Sequence, residues 1–419
     1  MRTSFRRKAT LVILLAVVVR VAFVAAVGSG KIKPEHNPDA EDYLSFAHNL
    51  ATGVGFAHAV NEDQPYSAPV EFSAWRAPLY PMFLAVAFQF SRATLFLRLL
   101  QVMLAGFSVY FLLRVGEFLF GELPALIAGI AFATYPPLIF YSADLGTESL
   151  FLFLVLAVIF VFYRGDDEIS SPRALALGLL SGLTMLCRPN GIVLFPSLAL
   201  AMWLTARHRG QVLRNIVLVG ITMAAVVLPW TWRNYRLYHK FVLVSTNGGP
   251  TLWAAAHLRL EPGATLEDVG YAQHKAFRDV PEPDRERYYY QQAFAILDHS
   301  PLRWCKMFLA NFAAMYTPIP AARYHSLSSR LIYAASYIPL LVTGVWGWML
   351  ALRRWRELSL LWVWVLATTV LYCIYLTSIR YRVATIDPIL MLGTGVLVAA
   401  FIDRSDRGQR KPLAKTLSM

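Results

Sequence analysis

The sequence predicts an all-α polytopic membrane protein, and three observations carry that prediction. The first is composition: 57% of the 419 residues are hydrophobic and 16% are charged, against about 25% charged in a soluble domain. The second is patterning, because apolar runs near the roughly 20 residues that cross a bilayer recur from end to end. The third is the placement of charge. Much of the net +13 falls in short intervals between apolar runs and at both ends, where basic residues orient a membrane protein. Residues 1–419 read as one module rather than a string of soluble domains.

Spans are predicted at 9–27, 95–113, 123–141, 149–163, 173–187, 191–206, 213–230, 330–352, 357–377 and 384–402. The basic start followed by an apolar run is like a signal peptide, but the run is long enough to span and reads as an uncleaved first helix. Two stretches are assigned differently. Leu79 to Phe90 is only about a dozen residues, below spanning length, with Pro81 near its start, so it is placed flat on the outer surface. Arg303 to Pro318 mixes Arg303, Lys306 and Asn311 with Phe308, Phe312 and Met315, which suits an interfacial helix. Ser300-Pro301 supplies its cap and first-turn proline.

About ten crossings put both termini in the cytoplasm of an inner (plasma) membrane. The cytoplasmic intervals then hold Arg6, Arg7, Lys8, Arg114, Arg164, Arg173, Arg207, Arg209, Arg214, Arg353, Arg354 and Arg356, and the basic tail 403–419, which is the positive-inside bias. Two long segments remain outside. One is the first outer loop, 28–94. The other is a helical elaboration at 231–329, where Thr265-Leu-Glu-Asp268 resembles a capping box.

Several function classes find no support. No phosphate-binding Gly-rich loop, zinc-finger spacing or dinucleotide fingerprint is present, so ATP hydrolysis and nucleic-acid binding are not indicated. Cys187, Cys305 and Cys373 form no CxxC and read as free thiols. The histidines, among them His36, His48, His58, His257, His274, His299 and His325, show no ligand spacing. Carboxylates suit magnesium or manganese, but nothing demands a cofactor, and a metal is left unassigned.

The candidate chemistry lies on one side of the membrane. Glu35, Asp39, Glu41 and Asp42 cluster in the first outer loop. A solvated acidic loop is the bland reading; the sharper one makes one of them a base. Arg76, Arg188 and the pair Arg380 and Arg382 sit in three further outer turns. Their planar donors suit a phosphate, although any one alone reads as a snorkelling or headgroup arginine. Asp144 and Glu148 occupy another turn, where Thr147 or Ser149 as a helix cap with Glu148 on the dipole is an equal reading. Arg20 lies within the first span, where a charge is costly and faces a partner or a wet cavity. An acid partner is one reading, and Arg20 is not assigned to chemistry.

Several motifs carry a family resemblance. They are Asp39-Ala-Glu-Asp-Tyr43, Arg76-Ala-Pro78-Leu-Tyr-Pro81, Thr147-Glu148-Ser149-Leu150, Arg188-Pro-Asn-Gly191, Trp230-Thr-Trp-Arg-Asn234, Ser245-Thr-Asn-Gly-Gly249 and Arg380-Tyr381-Arg382. In this order the chain resembles GT-C type glycosyltransferases of the protein-mannosyltransferase and lipid A aminoarabinose-transferase kind. The resemblance implies a GT-C fold with juxtamembrane helices on the outer face. It also implies an enzyme that takes a sugar from a polyprenyl phosphate of undecaprenyl or decaprenyl type. Three positions depart from the pattern. In the last turn Pro388 comes well after Arg382, where many relatives have a proline soon after the second arginine. Trp75-Arg76 stands where aminoarabinose transferases have Glu-Lys, so their metal-linked acid is missing. Ala40 separates Asp39 from Glu41 where protein mannosyltransferases pair Asp with Glu, which argues against a protein acceptor.

The resemblance assigns Asp39 as general base and Glu148 as its catalytic companion. Arg76, Arg188, Arg380 and Arg382 become binders of the donor phosphate. Glu41, Asp42, Tyr43, Asp144 and Tyr381 support them. The expected acceptor is a hydroxyl of a cell-envelope glycan or lipid. Two rivals remain: a flippase or transporter of lipid-linked sugars, which predicts midplane charges and access from both faces, and an inactive scaffold.

Overall fold

The computed structural model describes residues 3–29, 38–59, 70–165, 168–206, 208–265, 280–320 and 326–409. Glu35, His36, Arg207, His274, His325, the end of the proposed capping box at Asp268 and the tail beyond residue 409 lie outside them.

The membrane part begins with α1 (Thr3–Gly28). After the first loop come α4 (Thr94–Phe120), α5 (Glu122–Thr134), α6 (Pro136–Ala143), α7 (Glu148–Tyr163) and α8 (Ser171–Cys187). A 3-10 turn (Pro189–Val193) leads into α9 (Leu194–Thr205), followed by α10 (Arg209–Tyr238). The last three are α14 (Leu327–Ala351), α15 (Ser359–Ile374) and α17 (Asp387–Gln409). The predicted spans fall on helical segments, with 123–141 split at Tyr135 between α5 and α6 and 191–206 beginning in the 3-10 turn. Of these, α1, α4, α10 and α14 are long and apolar enough to cross a membrane, and α5 with α6 qualifies as a bent pair. The helices α7, α8, α9 and α15 are apolar but shorter.

The breaks have local causes. Tyr135 is extended (φ −73°, ψ 111°), as a residue before proline prefers, and α5 meets α6 at 53°. Arg188 is extended before Pro189 (φ −147°, ψ 131°), which ends α8 and turns the Arg188 side chain off the helix axis. Gly121 joins α4 to α5 at φ 93°, in the left-handed region open to glycine.

Helices α1, α4, α5 and α7 pack together, α8 lies between α7 and α10, and α14 and α5 both pack on α17. The α14–α17 crossing depends on small residues: a Cβ on Gly347 would come within 1.7 Å of the Gly393 carbonyl oxygen. Close backbone approach of this kind drives packing where lipid removes the hydrophobic incentive. Outward-facing Leu213, Ile221 and Leu228 on α10 are more than half exposed (58%, 62% and 57%), as expected of a face turned to hydrocarbon.

The elements between the long apolar helices build the site. In the first loop are α2 (Pro38–Ala51), a ribbon of β1 (Ala57–Ala59) antiparallel to β2 (Val70–Phe72), and α3 (Leu79–Phe88). The second outer segment holds α11 (Gly248–Leu260), α12 (Glu282–Leu297) and α13 (Pro301–Tyr316), and α16 (Ile379–Val383) fills the turn before α17. Both stretches read as non-spanning, Leu79 to Phe90 and Arg303 to Pro318, are helical. Pro301 opens α13 as expected, but the Ser300 side chain makes no capping bond. Asn311 of α13 donates to the carbonyls of Cys373 and Tyr375, both at 3.1 Å, which ties the outer segment to the end of α15.

Candidate active site

The first turns of α2 place Asp39, Asp42 and Tyr43 at spacings i, i+3 and i+4, so they share one helix face. Both acids accept from Arg76. Its Nη2 meets Asp39 Oδ1 and Asp42 Oδ2, each at 2.6 Å, and its Nε meets Asp42 Oδ2 at 2.9 Å. The guanidinium sits 5.3 Å from the centre of the Tyr43 ring. The other Asp39 oxygen accepts from Arg380 Nη1 at 2.7 Å. Arg380 Nε also donates to Glu148 Oε1, and the same oxygen accepts from Arg188 Nη2. Asp42, Arg76, Asp39, Arg380, Glu148 and Arg188 therefore form one alternating chain of charges, brought together from five places in the sequence.

Only Asp42 in this chain is more than a third exposed; Glu148 is 3% and Arg188 10% exposed. Burial opposes ionisation of Asp39, but Arg76 and Arg380 outweigh it and hold the carboxyl well below the usual carboxylate range. Burial likewise disfavours charged Arg380 and Arg76. Glu148 and Asp39 beside Arg380, and Asp39, Tyr43 and Asp42 beside Arg76, raise both above the ordinary value. Burial pushes the Tyr43 hydroxyl up to about 12. Near neutral pH Asp39, Arg76 and Arg380 are thus all charged.

Four of these charges, Asp39, Arg76, Arg188 and Arg380, line a cavity of about 310 Å³ together with Tyr43 and Tyr381. Tyr381 stacks on Tyr372 at 4.8 Å and faces the Arg188 guanidinium at 5.4 Å. Asn190, Ser245, Asn247, Glu286 and Tyr290 also line the cavity. Of these, Asn190, Ser245 and Asn247 lie in motifs visible in the sequence; Glu286 had no such signal. Glu286 accepts from the Gly248 amide at 3.1 Å, and burial raises its carboxyl above the usual range.

The loop bearing Arg76 is held by a residue that the sequence did not single out. Glu282, at the start of α12, accepts from Ser73 Oγ, the Ala74 amide (2.8 Å), Tyr238 Oη (2.8 Å) and Thr246 Oγ1 (3.1 Å). One buried carboxylate thereby joins the first loop, the end of α10 and the second outer segment.

The turn at 144–148 is not organised by helix capping. Thr147 Oγ1 accepts from Arg188 Nε, and Ser149 Oγ donates to the Tyr141 carbonyl at 3.0 Å. Glu148 Oε2 is buried with no hydrogen-bond partner among the described residues. Asp144 does not line the cavity; its carbonyl accepts from Gln101 Nε2 at 2.7 Å. Glu41 points outward and is exposed.

Arg382 stands apart from the other arginines. Two residues along a helix lie about 200° apart around it, so the short α16 sends Arg380 to the cavity and Arg382 into the core. There Arg382 is fully buried. It pairs with Asp387 at 2.9 Å, donates to the Met315 carbonyl at 3.0 Å and lies 3.3 Å from the centre of the Tyr337 ring. This arrangement directs its donors away from the phosphate role expected of it.

The carboxylates do not fit a divalent cation as they stand, because both Asp39 oxygens and Glu148 Oε1 are taken by guanidinium groups. No cluster of three His, Cys, Asp or Glu suited to a metal occurs among the described residues.

The chain is similar to known proteins in fold and over part of its sequence. A family model described as dolichyl-phosphate-mannose-protein mannosyltransferase matches residues 75–232. No curated protein sequence matches the chain. Among solved structures, the oligosaccharyltransferase of Archaeoglobus fulgidus in the apo form superposes with a TM-score of 0.61 at 13% identity, over 98% of this chain and 52% of that one. The same enzyme, AglB, in complex with an inhibitory peptide and a dolichol-phosphate gives 0.56 at 13% identity over 100% and 53%. ArnT from Cupriavidus metallidurans bound to undecaprenyl phosphate gives 0.43 at 15% identity over 96% and 81%. The chain spans about half the length of the oligosaccharyltransferase, and at such identity the likeness speaks for fold alone. The chain thus shares its fold with membrane glycosyltransferases of this kind, and the family pattern covers residues 75–232.

Proposed function

We propose that this chain transfers a glycosyl group from a polyprenyl phosphate to an acceptor hydroxyl at the outer face of the plasma membrane. The observation that carries the reading is the convergence of Arg76, Arg188 and Arg380 with Asp39 on one cavity. Three permanently charged groups with planar donors suit a phosphate, and Asp39 supplies a base beside them. The structure of AglB with a dolichol-phosphate is consistent with a lipid-phosphate ligand for this fold.

The arginines are engaged by acids in the unliganded chain. A donor phosphate replaces Asp39 as partner of Arg76 and Arg380, and the carboxylate regains basicity as they leave it. Asp39 then accepts the proton of the acceptor hydroxyl while that oxygen bonds to the anomeric carbon. The bond from that carbon to the phosphate oxygen breaks, with inversion, and the electron pair leaves on polyprenyl phosphate. Its added charge is stabilised by Arg188 and Arg380, already oriented by Glu148, so little reorganisation is needed during reaction. Asp42 and Tyr43 position Arg76, and Tyr381 flanks Arg188. About ten crossings, with both termini cytoplasmic, place the cavity outside.

Incubating the purified chain with a panel of polyprenyl-phosphate sugars and candidate hydroxyl acceptors, with product identification by mass spectrometry, tests this reading. It expects donor consumption and release of polyprenyl phosphate. A flippase would move the lipid between leaflets and leave the sugar–phosphate bond intact.

A further inference from the structure

Arg20 is fully buried within α1, and its partners among the described residues are a hydroxyl and main-chain carbonyls. Nη2 donates to the Phe132 carbonyl at 3.1 Å and Nη1 to the Ala133 carbonyl at 3.2 Å. Nη1 also donates to the Ala16 carbonyl at 3.1 Å, and Nε to Ser142 Oγ at 3.0 Å. The choice of carbonyls is informative. In a continuous helix the amide of residue i bonds to the carbonyl of residue i−4, so Phe132 and Ala133 would receive the amides of residues 136 and 137. Both of those residues are proline and carry no N–H. The guanidinium from α1 meets the same two oxygens.

The charge also suits the place. The carbonyl end of α5 is the negative pole of that helix, and a planar fork reaches two adjacent carbonyls at once. An intramembrane arginine without a carboxylate partner is thereby accommodated. Beyond the break, α6 is only eight residues long and is clamped at its far end by α4. Arg98 Nε donates to the Ala143 carbonyl at 2.8 Å, and Gln101 Nε2 to those of Ser142 (3.3 Å) and Asp144 (2.7 Å). The chain then enters the turn that carries Thr147 and Glu148.

We propose that Arg20 is a positioning residue for Glu148. It supplies from a neighbouring helix the two donors that Pro136 and Pro137 withhold, and so fixes the angle at which α6 delivers the 144–148 turn to the cavity. The inference concerns geometry and stands whatever reaction the cavity performs.

Cys187 is a native reporter of that turn: it is 1% exposed, and its Sγ lies 3.9 Å from the Thr147 carbonyl oxygen. In a full-length Cys305→Ser/Cys373→Ser protein reconstituted in lipid, Arg20→Gln is expected to speed Cys187 alkylation by N-ethylmaleimide about tenfold, the effect of losing a charged hydrogen bond. Arg20→Lys, which keeps the charge without the fork, should fall between. Cys373, followed alone in a Cys187→Ser/Cys305→Ser protein, should not respond to Arg20→Gln. Unchanged Cys187 labelling would overturn the proposal, as would a parallel rise at Cys373.

Discussion

Replacing Asp39 with asparagine separates binding from chemistry. The amide keeps the shape of the side chain and one acceptor oxygen but cannot accept the acceptor's proton. A positioned general base contributes roughly 10²–10⁴-fold, so kcat for Asp39→Asn should fall by that factor. Donor binding should move the other way or stay level. In the parent, both Asp39 oxygens occupy donors of Arg76 and Arg380, at 2.6 and 2.7 Å, and an incoming phosphate competes with them. Removing one negative charge weakens that competition, so KM for the donor is expected to stay constant or decrease. The stability cost should be small. The side chains are 17–28% exposed, and screened pairs of this kind contribute about 1 kcal/mol or less each. The assay is steady-state transfer with a radiolabelled donor, paired with a lipid-binding measurement on the same protein. Near-normal kcat in a folded Asp39→Asn variant would refute the assignment of Asp39 as base, and a large rise in donor KM would refute the competition argument.

Four further outcomes are expected. The Asp39 pKa is depressed in the folded chain, so its ion pairs contribute stability above the unfolded value near 3.9 and lose it as pH falls through the folded value. Thermal unfolding below about pH 4 should therefore soften less in Asp39→Asn than in the parent. Because donor phosphate releases Asp39 from its arginines, the acid limb of kcat should lie at higher pH than that of kcat/KM, the two reporting bound and free enzyme respectively; coincident limbs would count against the exchange. Glu282→Gln retains size but loses the charge that gathers Ser73, Ala74, Tyr238 and Thr246, and should raise donor KM severalfold, by about 1–2 kcal/mol of lost positioning, with a smaller change in kcat. Arg382→Leu leaves Asp387 buried and unpaired and should destabilise the chain by about 3–5 kcal/mol, read as a loss of thermal stability; a stable Arg382→Leu protein with raised donor KM would instead return Arg382 to the phosphate site.

What could be read from the sequence and what could not divide along physical lines. Apolar runs of bilayer length are local signals, and they became helical, the run at 123–141 as two helices broken before a proline pair. The grouping of Asp39, Arg76, Glu148, Arg188 and Arg380 was also legible, because acids and arginines recur in turns on one predicted side of the membrane. Arg382 was not, since Arg380-Tyr381-Arg382 looks like one basic turn until helical geometry points its ends in opposite directions, and the acid that takes Arg382 lies only five residues on. Glu282 and Glu286 gave no local pattern. Glu282 reaches Ser73 across 209 residues, and contacts of that kind are set by the packing of outer segments. Arg20 was recognisable as a costly charge needing a partner, but an acid was the natural expectation. The partners proved to be carbonyls stripped of their donors by a proline pair more than a hundred residues away.

The most direct test of the account is to follow one polyprenyl-phosphate sugar through the purified chain and determine the anomeric configuration of what emerges. The account predicts free polyprenyl phosphate and an acceptor glycosylated with inverted configuration, both dependent on Asp39. A product of retained configuration, or intact donor recovered in the opposite leaflet, would contradict it.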